Sequence, residues 1–418
     1  MLKKLFVGLA AFATLYSAKA FAAEKIDFDQ GVNVKQVVET VQAEVAAQKD
    51  KTASWTIMVF VNAKNNLEKF GLGDVNEMEK VGSTDKVKIA VELGRMSTYD
   101  HSDGGWKGGR RYIIKKDSDA SRITSPALQE IAKADMGDWR HLVDFVKWAQ
   151  TNAPAQRYML IVWNHGSGWN IQRSGDFSTR GISYDDETGH HITTADLGKA
   201  LGSMGKIDVY GSDACLMQMA EVDYQIKDSV DYIVGSEETE PGDGYTYDKL
   251  LGPLAGNPSM APSELAKLAA QAYTDHYVSI GQGATQSAIR AAALPELRAA
   301  LDEWTGAVMN ANEADVVKSA LSATQTFYYS DNKDLLDFIK RVDGATKNGA
   351  LRSKGEQLEK LLGEQVIIHN AATGDAYANA KGLAVYLPDN GYNSSYDTLA
   401  WSKDGRWAQF AQWVGGLK

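Results

Sequence analysis

Apolar residues along the chain fall into long blocks with two different periods. "WTIMVFVNA" (55–63) is a continuous apolar run rich in branched side chains, the pattern of a strand buried on both faces of a parallel sheet. "VKIAVELG" (87–94), "RYMLIVWN" (157–164), "KIDVYGSD" (206–213) and "DYIVGSEE" (231–238) repeat it. "RRYIIKK" (110–116) is shorter and more polar, as befits an edge strand or a hairpin arm. Helical periods lie between these runs. Trp139, Leu142, Val143, Val146 and Ala149 share one helical face. "TTADLGKALGSM" (193–204) opens on threonines able to cap a first turn, and "CLMQMAEVDYQIKD" (215–228) reads as a helix directly after a strand. Strands alternating with helices predict a doubly wound α/β fold with a mainly parallel sheet.

Beyond residue 255 the texture becomes helical. "APSELAKLAAQAYTDHYV", "LPELRAALDEWTGAV", "NKDLLDFIKRV" and "KGEQLEKLLGEQ" are amphipathic. Two late strands, "QVIIHN" (365–370) and "KGLAVYLP" (381–388), are expected to return to the sheet or extend it, before an aromatic tail carrying Trp401, Trp407, Phe410 and Trp413 that docks as a helix. The expected organisation is therefore a core over 55–255 and a helix-rich C-terminal lobe over 256–418. Residues 23–54 form a polar N-terminal extension that includes the helical pattern "VKQVVETVQAEVAAQ".

The first 22 residues change the compartment. Lys3 and Lys4 precede a short apolar stretch, and Ala18-Lys19-Ala20 and Ala20-Phe21-Ala22 offer small-x-small cleavage points, so this segment reads as a secretory signal. The expected location is a periplasm or the extracellular space. No other run reaches transmembrane length. Loss of Lys3, Lys4 and Lys19 takes the formal charge from −10 to −13, which argues against nucleic-acid or anionic-membrane partners.

Cys215 is the only cysteine, so no disulfide can form within the chain. An unpaired thiol in an oxidising compartment is either a small buried hydrophobe or a nucleophile. Its position bears on that choice. "IDVYGSDACLM" and "YMLIVWNHGSGW" place Cys215 and His165 just after two strong strands. In an open α/β sheet the carboxyl ends of strands carry the site. A helix N-terminus at Cys215 would favour the thiolate. Histidine titrates in the range needed to protonate a leaving amine. The amides of Gly166 and Cys215 are available to an oxyanion. Histidine after a strand is also commonly structural.

"WTIMVFVNAKNNLE", "LIVWNHGSGW", "GISYDDETG", "SDACLMQMAEVDYQIKD", "SEETEPGDGYTYDKLL" and "GLAVYLP" resemble, in order and wording, the clostripain family of cysteine peptidases, bacterial relatives of caspases and gingipains. The similarity runs from about residue 55 to the C-terminus. It implies a caspase-like αβα sandwich, with Cys215 as nucleophile, His165 as its partner and Gly166 and Cys215 as the oxyanion hole. It also implies cleavage after arginine or lysine, which needs a carboxylate in the primary pocket. Asp213 matches the family acid before the Ala-Cys pair, and Asp243 is the second candidate. Glu237 and Glu238 at the end of the next strand either line the pocket or cap a loop. Two bland readings stay open: Asp213 as a helix N-cap and Asp243 as a turn residue.

Relatives are processed between the two motifs after a basic residue, which singles out Arg180 and then Arg173. Asp185, Asp186, Glu187, His190 and His191 cluster in that region, but their spacing fits neither an EF-hand nor a zinc pair, and an acidic surface turn is the simpler reading. The chemistry needs no cofactor, while the resemblance carries an association with structural calcium. The expected partners are peptides or proteins with basic residues. The main alternative is a catalytically silent caspase-like scaffold that binds peptides. A periplasmic small-molecule binding protein is the other, and the two similar halves it calls for are missing from the sequence.

Overall fold

The computed structural model describes residues 52–169, 181–389 and 391–417. The strands in chain order are β1 (Ala53–Ala63), β2 (Val87–Arg95), β3 (Gly108–Ile113), β4 (Gln129–Ile131), β5 (Ala155–Trp163), β6 (Ile182–Asp185), β7 (His190–Ile192), β8 (Ile207–Asp213), β9 (Val230–Gly235), β10 (Ala284–Arg290), β11 (Asn332–Asp334), β12 (Ile367–Thr373) and β13 (Ala384–Tyr386). Nine of them build one sheet in the order β12-β10-β9-β8-β5-β1-β2-β3-β4. The centre, β9-β8-β5-β1-β2, is parallel. Antiparallel pairs close both sides.

Alternation along each central strand divides its side chains between two apolar layers. On β1, Met58 and Phe60 face one layer, while Trp55, Ile57, Val59 and Val61 face the other. Helices Trp139–Asn152, Thr194–Gly202 and Leu294–Asn310 cover the first face. Helices Glu68–Val81, Tyr247–Gly256 and Pro262–Ser279 cover the second. The expected doubly wound α/β sandwich is what forms. The predicted cap at Thr193 also holds, its side chain accepting from the Asp196 N–H; Asp138 plays the same part for the helix before β5, accepting from the Arg140 N–H.

Three elements differ from the sequence reading. β10 carries no apolar run that would announce it, because its residues Thr285, Gln286 and Ser287 are polar yet buried. They are paired inside the protein: Thr285 Oγ1 lies 2.9 Å from Ser236 Oγ, and Ser287 Oγ donates to Gly382 O at 2.6 Å. Of the two late strands, β12 extends the sheet, whereas β13 pairs with β11 in a separate two-stranded sheet. The region 256–418 thus supplies β10 and β12 to the central sheet as well as helices. Finally, the helix expected over 215–228 is confined to Ala220–Ile226. Leu216 adopts a left-handed conformation (φ 63°) and its N–H bonds to Glu238 O at 3.0 Å. The Gln218 N–H bonds to Ser236 O at 3.0 Å. Backbone donors after Cys215 are committed to the neighbouring loop, and Leu216, Met217 and Met219 serve the core from an irregular turn.

The aromatic tail docks as expected, with Trp401, Trp407 and Phe410 fully buried. The signal segment, the extension up to residue 51, and Arg173 and Arg180 lie outside the described residues. Among the described residues no helix is long and apolar enough to cross a membrane.

Candidate active site

β1 leads to β2 on one side, and the chain then returns to build β5, β8 and β9 on the other, so the topological switch lies between β1 and β5. β5 and β8 pair in parallel with Trp163 opposite Asp213. His165 and Cys215 therefore each stand two residues beyond a paired position, on the same edge of the sheet. Both line one cavity of about 190 Å³, together with Asp213, Ala214, Glu240 and Pro241 among others.

Packing fixes the two motifs against each other. A Cβ on Gly166 would stand 2.4 Å from the Cys215 carbonyl oxygen, so only glycine fits this approach. Asn164 donates through Nδ2 to Asn62 O at 2.5 Å and accepts from the Tyr184 N–H at 2.7 Å, tying β5 to β1 and to the β6–β7 hairpin. His165 Nε2 lies 2.7 Å from Asn66 Oδ1, at the end of β1. Sequence alone gives no reason to single out Asn66. Its placement depends on β1 lying beside β5, which composition does not disclose.

Burial disfavours the charged form of both side chains. Burial, then the Glu240 charge, pushes the Cys215 thiol up to about 11, while the Glu240 N–H and its own N–H pull the other way. The Glu240 N–H reaches Sγ at 3.3 Å. The helix N-terminus expected to favour the thiolate is absent here, since the helix starts only at Ala220. Burial lowers His165 below its ordinary value, partly offset by Asp186.

Asp213 sits at the base of the cavity, buried, accepting from the Tyr247 Oη at 2.8 Å and the Tyr245 N–H at 3.2 Å. It does not cap a helix. Gly244 (φ 56°) passes so close that a Cβ there would lie 2.8 Å from Asp213 Oδ1. Burial raises the carboxyl, and Glu240 shares a proton with it; Glu240 is itself raised, by burial and by Asp213. Asp74, hydrogen-bonded by Trp163 Nε1 at 2.6 Å, is raised by burial and by Asp213. Among the described residues no lysine or arginine pairs with Asp74, Asp213 or Glu240. Buried Glu240 Oε2 has no hydrogen-bond partner there either. This is a buried acidic base with no basic side chain to balance it among the described residues. Asp74 and Glu240 cannot be recognised in the sequence, because an acid's burial is invisible there.

The other candidates scatter. Asp243 is exposed beside His276, at 3.3 Å, and lines an adjoining groove with Asp74 and Glu77 rather than the cavity itself. Glu237 is buried, accepts from the Gly382 N–H at 3.0 Å and pairs with Asp334, away from the cavity. Glu238 takes the loop-tying role: its Oε1 accepts from the Tyr328 N–H at 3.1 Å.

Most side chains of the acidic turn are engaged within the protein. Asp185 accepts N–H groups from Met136, Glu187 and Thr188. Asp185 and Glu187 also hold the ammonium of fully buried Lys64, at 3.0 and 2.5 Å. His190 pairs with Asp135 at 2.6 Å, and His191 stacks on Tyr184. A carboxylate with its lone pairs so engaged is a poor calcium ligand. A second cavity of about 730 Å³ opens here, lined by His165, Gly166, Tyr184, Asp186, His191 and Tyr329 among others.

Comparison with known proteins identifies the family and the fold. The model of the clostripain family, peptidase C11, matches residues 59–413. Clostripain of Hathewaya histolytica is 29% identical over 258 residues, covering 56% of this chain and 48% of that protein; the match thus spans about half the length of this curated relative. A secreted C11 cysteine protease from Bacteroides thetaiotaomicron, solved with an irreversible peptide inhibitor, shares the fold with a TM-score of 0.63 at 20% identity, covering 86% of this chain and 99% of its own. An inactive zymogen C11 protease from Parabacteroides distasonis gives 0.63 at 20% identity, over 84% and 98%.

Proposed function

The chain belongs to the clostripain family of cysteine peptidases, and on that premise we propose that it is an exported endopeptidase that cleaves after arginine or lysine. The observation that carries this reading is the register of β5 and β8, which puts His165, Cys215 and buried Asp213 around one cavity.

The neutral thiol and neutral imidazole together hold one transferable proton. On attack, Sγ bonds to the scissile carbonyl carbon and its proton passes to the imidazole. His165 then delivers that proton to the leaving amine as the C–N bond breaks. Water, deprotonated by the same imidazole, releases the acyl group and restores the thiol. The amides of Gly166 and Cys215 stabilise the oxyanion. Asn66, bonded to Nε2, orients the ring.

Asp213 receives the basic side chain. Burying carboxyls without a counter-ion costs several kcal/mol, and a guanidinium or ammonium entering the cavity supplies that counter-charge. The exported state follows from the N-terminal signal pattern.

Activation by cleavage after Arg180, or after Arg173, fits the flanks of that segment. On one side Trp169 is buried against Tyr386 and Tyr396. On the other, the Gly181 N–H donates to Ser167 Oγ at 3.2 Å. A chain cut between such anchors stays assembled.

The test is hydrolysis of Arg- and Lys-terminated fluorogenic peptides by the purified protein and its variants. Cys215→Ala is expected to abolish turnover. Asp213→Asn is expected to lower kcat/KM about 100-fold or more, since it removes the charged partner of a buried cation, while leaving thiol alkylation within about threefold. Turnover that survives in Cys215→Ala contradicts the mechanism, and equal loss of cleavage and alkylation in Asp213→Asn contradicts the pocket assignment.

A further inference from the structure

The 730 Å³ cavity beside the catalytic edge has a chemistry that the primary pocket does not use. His165 lines both cavities. Asp213 and Cys215 line the smaller cavity with it, and Gly166, Tyr184 and Asp186 line the larger. A substrate whose basic side chain fills the first cavity presents its leaving amine to His165. The residues that follow the scissile bond then pass into the second.

The walls of that cavity are anionic and aromatic. Asp185 and Asp186 line it, Glu187 follows them in the chain, and Lys64 supplies the three carboxylates with a single ammonium, held by Asp185 and Glu187. Asp186 is exposed, and its carboxylate has no hydrogen bond or ion pair among the described residues. His190 does not compensate it, being engaged with Asp135. Aromatic residues line the cavity with the acids. Tyr184 stacks on His191 with ring centroids 5.0 Å apart, and Tyr329 closes the wall from the loop before β11. A cation over such rings is attracted by their π faces as well as by the carboxylate.

Resting on the peptidase reading above, we infer that this cavity is the subsite for the leaving side of the substrate and that it selects a basic residue within the first two positions after the scissile bond. The preferred substrates are segments with basic residues on both sides of the cut.

Internally quenched peptides with arginine before the scissile bond, and lysine, alanine or aspartate at the first two positions after it, test this in the full protein. The expected result at low salt is a kcat/KM about tenfold higher for lysine than for aspartate, as follows when one exposed charge attraction is replaced by a repulsion. That ratio falls at 0.5 M salt and drops to about twofold or less in Asp186→Asn. A wild-type ratio under twofold, or the full ratio persisting in Asp186→Asn, overturns the inference. Cleavage of all peptides without discrimination contradicts only this subsite; cleavage of none contradicts the peptidase reading on which it rests.

Discussion

Cys215 is held in its protonated form by burial and by the Glu240 charge, and His165 in its neutral form by burial. Because the reactive species toward alkylating agents is the thiolate, the free protein is expected to be slow at neutral pH. With burial pushing the thiol up to about 11, the rate of iodoacetamide modification should climb about tenfold per pH unit from 7 towards 10, with no plateau in that range. Stopped alkylation followed by intact mass gives the profile; a plateau near pH 8 or below means an activated thiolate at rest. Cys215, His165 and Asp213 are legible in the sequence because each stands at or just past the end of a strong apolar run, where α/β sheets gather their chemistry. Asn66, Asp74 and Glu240 are not. They arrive from the end of β1, the following helix and the loop after β9, and only the folded neighbourhood distinguishes buried Asp74 from exposed Asp243.

Between elements, two junctions hold the site. The first is the approach of the turn at Gly166 to that at Cys215, where a Cβ would meet a carbonyl oxygen at 2.4 Å. Gly166→Ala forces apart the backbone that we propose as the oxyanion hole. It is expected to lower kcat about 100-fold or more, with far-UV circular dichroism unchanged, because loss of one such donor alone is worth that much. The second is Lys64, which fastens the end of β1 to the β6–β7 hairpin and donates to Ala134 O at 2.5 Å. Lys64→Met leaves the buried Asp185 carboxylate without its counter-ion and should cost about 3 kcal/mol in urea unfolding; an unchanged midpoint contradicts that role. The parallel strands can be read from their apolar runs, since burial on both faces forces such composition. β10 cannot, because its buried positions include Thr285, Gln286 and Ser287, whose polar side chains find partners far along the chain, Gln286 through its Nε2 alone. The turn at 214–219 is hidden for the opposite reason: an apolar run reads as helix or core alike, and only the bonds to Ser236 O and Glu238 O decide.

Over the whole molecule, charge and topology act together. The full chain carries a formal net charge of −10, and its acids include the unpaired group at the catalytic edge. On the proposed specificity, cationic peptides are steered inward, and kcat/KM for an arginine substrate should fall several-fold between about 20 and 300 mM salt; a flat response means the field plays no part in capture.

The central claim is that Cys215 is the nucleophile of a pocket that reads a basic side chain. Its most direct test is intact-mass analysis and peptide mapping after treatment with an arginine-terminated peptidyl acyloxymethyl ketone, alongside an aspartate-terminated one. The prediction is one adduct, on Cys215, formed much faster by the arginine reagent and lost as a fast reaction in Asp213→Asn. No adduct, an adduct elsewhere, or equal rates for the two reagents would contradict it.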